Sequence, residues 1–82
     1  MTQVRYFAAI KEAAGIAAED VDAGTLAEAL AVTRTRHDPR FTTVLARCSF
    51  VVDGDPVGGR DHGAVVVRPD SVVDVLPPFA GG

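Results

Sequence analysis

The first run of apolar positions, "QVRYFA" (residues 3–8), is rich in β-forming residues and predicts an opening strand. Residues 9–14 suit a short helix, and Gly15 stands where a left-handed cap would end it. "AEDVDA" (residues 18–23) is a short, acidic candidate for an edge strand, acidic side chains being one protection for an exposed edge. "TLAEALAVTRTRH" (residues 25–37) carries the clearest helical pattern. Thr25 and Glu28 have capping-box spacing: the Thr hydroxyl can accept from the third helical N–H while Glu28 reaches back to the Thr25 N–H. Leu26, Ala29, Leu30 and Thr33 then share one face. Pro39 predicts that this helix stops at or before Asp38, and Asp38-Pro39 can open another, with Asp as N-cap and Pro in the first turn. Phe41, Val44, Leu45 and Cys48 fall at helical spacing.

Three further runs read as strands. "CSFVVDGD" (residues 48–55) enters a tight Asp53-Gly54 turn, with Phe50 and Val52 on one face. "PVGGRDHG" is loop-like, "AVVV" (residues 64–67) is a short strand, "RPDS" is a turn, and "VVDVL" (residues 72–76) is the last strand. Pro77 and Pro78 end that strand because neither can donate to a ladder. A long mid-chain helix with one apolar stripe needs a sheet to cover it. The order therefore predicts an α+β fold: a mixed sheet of about five strands packed on one main helix, best matched by a β-grasp, or ubiquitin-like roll. Its first and last strands would lie parallel in the centre. Residues 1–82 would form a single domain with a flexible C-terminal tail over residues 77–82.

Composition narrows the partners. Eighty-two residues allow one small core, and 48% hydrophobic content argues against disorder. A net charge of −3 with scattered basic residues argues against nucleic acid. "RTRH" (residues 34–37), the densest basic group, reads as the solvated end of a helix. With no long apolar run at the N-terminus and no stretch near the roughly 20 residues of a membrane span, the chain reads as soluble and cytoplasmic. A lone Cys48 permits no internal disulfide and reads as a small buried hydrophobe. His37 and His62 have no second ligand at metal spacing, so no metal site is expected. Glu19, Asp20 and Asp22 read as a solvated edge. "GDPVGGRDHG" lacks both the Gly-Lys-Ser/Thr order and the following helix of a phosphate loop.

That leaves the ending, "LPPFAGG", as the candidate for chemistry. The strand ending at Leu76 anchors it, the double proline stiffens its exit, and every residue beyond Phe79 is small. Ala80, Gly81 and Gly82 suit threading through a narrow channel, since glycine adopts backbone angles closed to other residues. A partner could then reach the Gly82 carboxylate with little steric cost.

With "VRYFAAIKEAAG" at its start and "LPPFAGG" at its end, the whole chain resembles the small, sulfur-carrying subunits of molybdopterin synthase, within the wider group of ubiquitin-like sulfur carriers. It departs from their pattern in reading Asp70-Ser71 where Gly-Asp is usual, and Asp53 where Asn is common; both substitutions suit turns. The resemblance implies that Gly82 is adenylated by a separate ATP-dependent activating enzyme and converted to a thiocarboxylate by a sulfur donor. The tail would then enter a large synthase subunit, in a heterotetramer, and donate sulfur to a cyclic pterin precursor during molybdenum cofactor biosynthesis. The chain would bind no cofactor and turn over nothing alone, the catalytic residues lying in the large subunit. Phe7, Leu76 and Phe79 are expected to meet the partners, because strands one and five read apolar on both faces; Pro77 and Pro78 belong to the same surface, and Lys11 is expected to help position the tail. Three alternatives remain: a carrier for thiazole, cysteine or tRNA thiolation, a protein modifier forming isopeptide bonds, and a binding module using its sheet face.

Overall fold

A computed structural model describes residues 1–78. Five strands, β1 (Thr2–Tyr6), β2 (Ala18–Val21), β3 (Ser49–Val52), β4 (Asp55–Pro56) and β5 (Val72–Leu76), form one sheet in the order β2-β1-β5-β3-β4. Three helices, α1 (Ala8–Ala14), α2 (Leu26–Arg36) and α3 (Pro39–Leu45), complete the α+β architecture. β1 and β5 run parallel in the centre, and every other pairing is antiparallel. This is the arrangement expected of a β-grasp.

Register assigns the faces. Partners directly across a ladder share a face, and successive residues alternate. One row, Val52–Val73–Val4–Glu19, faces the helices. The next, Pro56–Val51–Asp74–Arg5–Ala18, crosses all five strands on the open side. Val4, Tyr6, Val73 and Val75 are thereby buried against Leu26, Ala29, Leu30, Phe41 and Leu45. Leu26, Ala29, Leu30 and Thr33 are the buried residues of α2, the stripe that the spacing predicts.

The helix ends follow local chemistry. Thr25 Oγ1 accepts from the Glu28 N–H at 3.2 Å, as a capping box requires. Glu28 Oε1 reaches past the Thr25 N–H to the Gly24 N–H and the Thr25 hydroxyl, each at 3.2 Å. Asp38 caps α3 by accepting from the Phe41 N–H at 3.0 Å, with Pro39 in the first turn. Gly15 ends α1 at φ 75, its N–H donating to the Lys11 carbonyl. At the other end of α1, Ala8 takes φ 50, a left-handed angle unusual for alanine.

The β3–β4 hairpin turns on Asp53 and Gly54, both at positive φ (51 and 81), as a primed two-residue loop demands. The Asp53 carboxylate accepts from the Val72 N–H and from the Ser71 hydroxyl, both at 2.8 Å. The two positions that depart from the sulfur-carrier pattern therefore touch: Ser71 donates to Asp53 and fastens the hairpin turn to the start of β5.

One predicted strand moves. The fourth strand is Asp55–Pro56, not "AVVV". His62–Ala64 forms a 3-10 turn, and the extended stretch after it pairs with the start of α2 instead of the sheet. The Leu26 N–H donates to the Val65 carbonyl at 2.8 Å and the Val67 N–H to the Gly24 carbonyl at 3.1 Å. Val65 and Val67 are buried and Val66 is 64% exposed, so the alternation that resembles a sheet strand serves to plug the end of the core. Among the described residues, no helix is long and apolar enough to cross a membrane.

Candidate functional site

Because β1 and β5 are parallel neighbours, both finish at the same end of the sheet. Tyr6 lies opposite Val75, so Phe7 and Leu76 follow side by side in sequence register. Here the chain turns into α1 on one strand and into Pro77-Pro78 on the other. Phe7 is 40% exposed, Leu76 and Pro77 are half-buried, and Pro78 is exposed. Four of the sequence-derived candidates, Phe79, Ala80, Gly81 and Gly82, lie outside the described residues.

The open face beside this exit is not uniformly apolar, contrary to the reading of strands one and five. Arg5 and Asp74 are cross-strand partners at its centre and form a two-pronged ion pair, Nε to Oδ1 at 2.5 Å and the second nitrogen to Oδ2 at 2.9 Å. The Arg5 guanidinium also lies 6.0 Å from the Phe7 ring centroid, a cation–π distance. Hydrogen bonding to Asp74, with its charge in support, holds the Arg5 pKa above its ordinary value. Val51 pairs with Asp74 across β3 and β5, and Val72 and Leu76 flank Asp74 on the same face, where Gln3 and Ser49 are their cross-strand partners. The surface thus mixes apolar and polar side chains around one neutralised charge pair.

A second feature adjoins the exit. A groove of about 310 Å³ runs between α1 and α3, lined by Ala9, Thr43, Val44, Arg47, Pro77 and Pro78. Lys11 does not reach it. It lines a separate depression of about 550 Å³ with Ala8, Glu12, Gly15, Ile16 and Ala17. The cation lining the groove is Arg47, which nothing in the sequence pattern distinguishes from other exposed arginines.

Away from the exit, a polar cluster stiffens the frame. Glu19 shares the inner row of the sheet, which turns its side chain towards the helices, where it is 9% exposed. It accepts from the Tyr6 hydroxyl at 2.5 Å, from His37 Nε2 at 2.6 Å and from Arg36 at 3.0 Å. Burial pushes its carboxyl pKa up, but these hydrogen bonds outweigh burial and hold it below the ordinary value. The same burial and the bond to Glu19 raise the Tyr6 phenol. His37 stacks on Phe41 at 4.4 Å, and Tyr6 meets both rings edge-on. Glu19 lies on the edge strand β2 and His37 is the C-cap of α2, but both side chains are turned away from solvent. Alternation along "AEDV" turns Asp20 outward and Glu19 inward. Cys48 is half-buried, its thiol donates to the Val44 carbonyl at 3.3 Å, and burial pushes its pKa up to about 11. That thiol is a poor nucleophile at neutral pH.

The sequence model of the ThiS family matches residues 4–82. No curated protein matches the chain. Among solved structures, the chain is similar to the small archaeal modifier protein 1 of Methanosarcina acetivorans: TM-score 0.85, 17% identity, covering 99% of this chain and 95% of that one. It is similar to a putative molybdopterin converting factor subunit 1 of Pyrococcus furiosus: TM-score 0.77, 20% identity, covering 95% and 97%. It is also similar to a chain in a complex of subunits 1 and 2 of the molybdopterin-converting factor of Helicobacter pylori: TM-score 0.72, 23% identity, covering 99% and 97%. Identities this low carry the fold, and it is the β-grasp in each case.

Proposed function

Since the chain belongs to the ThiS family, we propose that it is a ubiquitin-like sulfur carrier working through the carboxylate of Gly82. The observation that supports this most is the exit of β5. The strand ends at Leu76 in the centre of the sheet, and the chain continues through Pro77-Pro78 towards Ala80-Gly81-Gly82. On this reading the folded domain presents the Gly82 carboxylate to its partners, while Cys48, the chain's one thiol, is half-buried with its pKa pushed up to about 11.

The chemistry needs two partner enzymes. A carboxylate is a poor electrophile. In the first step a Gly82 oxygen attacks the α-phosphorus of ATP on an activating enzyme, and pyrophosphate leaves. A sulfur nucleophile then attacks the acyl carbon and AMP departs. Hydrosulfide gives the C-terminal thiocarboxylate directly. A donor persulfide instead gives an acyl disulfide, whose S–S bond a second donor thiol attacks, releasing the thiocarboxylate and leaving the donor as a disulfide. The thiocarboxylate is ionised at neutral pH, and ionised sulfur is the nucleophilic form. In the molybdopterin pathway it would attack a cyclic pterin precursor within a large subunit, and water would release the carboxylate again. The pairing of subunits 1 and 2 in the Helicobacter pylori complex favours such a partner, reached through Phe7, Leu76, Pro77, Pro78 and Phe79 in a heterotetramer. The general base and the groups that stabilise intermediates belong to that subunit.

A second reading follows from the similarity to a small archaeal modifier protein. The acyl adenylate could instead be taken by a lysine amine, giving an isopeptide bond to a target protein.

Intact mass separates these outcomes. The full chain is incubated with ATP, a candidate activating enzyme and a sulfur donor, beside a Gly82 deletion. A gain matching exchange of one oxygen for sulfur, located at the C-terminus and absent from the deletion, is the expected result. Covalent adducts with lysines of other proteins would favour the modifier. No change with any activating enzyme would overturn both and leave a β-grasp binding module.

A further inference from the structure

The turn between β3 and β4 holds the chain's one Asp-Gly step, Asp53-Gly54. Such a step carries its own intramolecular reaction. The glycine nitrogen attacks the aspartate Cγ and gives up its proton, one carboxyl oxygen leaves as water, and a succinimide ring closes. Water then opens the ring at either carbonyl. Opening at Cγ restores aspartate. Opening at the backbone carbonyl gives isoaspartate, of unchanged mass, with the chain now running through Cβ and Cγ. Glycine favours the attack because no side chain hinders its nitrogen. Asp53 and Gly54 are both exposed, and the space beside Gly54 is open.

The fold engages both oxygens that the reaction needs. Asp53 Oδ1 accepts from the Val72 N–H and Oδ2 from the Ser71 hydroxyl, each at 2.8 Å. Whichever oxygen is to leave as water, one of these bonds must break first. The Ser71 proton is committed to Asp53, because the same hydroxyl oxygen accepts from the Arg68 N–H at 2.9 Å and the residue is buried. Val72 is fixed in turn by β5, which pairs there with Gln3 of β1. Held by the Val72 N–H first and the Ser71 hydroxyl second, the carboxyl stays below its ordinary pKa, and its ionised form resists nucleophilic attack.

We propose that Asp53-Gly54 is an isoaspartate-forming site that the Ser71 hydroxyl and the Val72 N–H keep closed in the folded chain. Opening it would strike the sheet at two points. An extra backbone atom enters the Asp53-Gly54 loop, whose length sets the register of β4 on β3. The carboxylate that ties this hairpin to the start of β5 becomes part of the main chain.

The test is peptide mapping of the full chain after weeks of warm incubation at neutral pH. Trypsin cleavage after Arg47 and Arg60 isolates residues 48–60, where isoaspartate shows as a second peak of unchanged mass. A synthetic peptide of residues 48–60 is the unguarded reference. Its other aspartate, Asp55, precedes Pro56, which has no N–H to lose. The folded chain should react more slowly than this peptide by roughly tenfold or more, the weight of one hydrogen bond to a charged group in a rate. Ser71→Ala should close about tenfold of that gap, and Ser71→Thr, which keeps the hydroxyl, should not. Circular dichroism shows whether each variant folds. Should Ser71→Ala not fold, the comparison of the unaltered chain with the peptide decides. A folded chain that reacts as fast as the peptide would overturn the proposal. So would a folded Ser71→Ala that reacts no faster than the unaltered chain.

Discussion

Glu19→Ala offers a direct check on how the frame around the exit is held. The carboxylate accepts three hydrogen bonds, two of them from Tyr6 and His37, which have little access to water. A hydrogen bond to a charged group is worth about 1.5–3 kcal/mol net, and a buried donor left unpaired costs about 1–3 kcal/mol. Arg36 is 41% exposed, so its share is that of a surface pair, about 0–1 kcal/mol. Removing the carboxylate also relieves its own desolvation, which offsets part of the loss. The balance is a destabilisation of about 2–3 kcal/mol, against roughly 4–12 kcal/mol of total stability for a chain of this length. Urea unfolding followed by circular dichroism should show the midpoint falling by about 2–3 M, since a small domain has a slope near 1 kcal/mol per M. Tyr6→Phe completes a double-mutant cycle. Alone it should cost about 1–2 kcal/mol, and in the Glu19→Ala background almost nothing, because the unpaired hydroxyl is gone. The reasoning fails if Glu19→Ala costs under about 0.5 kcal/mol, or if Tyr6→Phe costs the same in both backgrounds.

Three further outcomes follow from the structure. Asp53 is held below its ordinary pKa by the Val72 N–H and then the Ser71 hydroxyl, and Glu19 is also lowered. A depressed folded-state pKa contributes stability that is present above the unfolded value, about 3.9 for Asp and 4.3 for Glu, and is lost as pH falls through the folded value. Thermal melts should therefore hold steady down to about pH 5 and fall below it, with a shallower fall in Asp53→Asn. Cys48 alkylation should be about 100-fold slower at pH 7 than for a thiol at the ordinary 9.0, and rise towards pH 11, as measured by iodoacetamide labelling across pH. Ala8→Gly should not destabilise the protein, because glycine relieves the positive φ, whereas Ala9→Gly in the same helix should lose about 0.5–1 kcal/mol; paired melts compare the two.

Local signals proved readable where one residue decides a backbone state. Gly15 at positive φ, Asp38-Pro39 at the start of α3, Thr25 before α2 and Asp53-Gly54 in the hairpin each act within a few residues of themselves. Sidedness was harder. The apolar run "AVVV" resembles a strand, but the bonds it makes go to Gly24 and Leu26, far away in sequence. Glu19 and Asp20 are neighbours of like charge, and only the register of β2 on β1 sends one inward to Tyr6 and His37. The charge pair on the open face was missed for the same reason: Arg5 and Asp74 meet only once β1 and β5 lie side by side. The tail reading rests on the composition of "PPFAGG" alone, because residues 79–82 lie outside the described residues. The groove beside the exit, with Arg47, needs two helices brought together and has no signature in either one.

The central pairing of β1 with β5 also bears on how the chain is made. Sixty-nine positions separate Arg5 from Asp74, so the contact at the middle of the sheet joins nearly opposite ends of the domain. Such long-range pairings form slowly, because loop closure precedes any gain from the contact. On a ribosome, β1 emerges first and waits for its neighbour until almost all of the chain has been synthesised. Earlier segments can settle as isolated helices or as the β1–β2 hairpin, but the sheet has no centre until β5 arrives. The strand that closes the fold is also the one that leads into the tail. Completion of the domain and delivery of its terminal segment are therefore one event, and a chain stopped short of β5 would present neither.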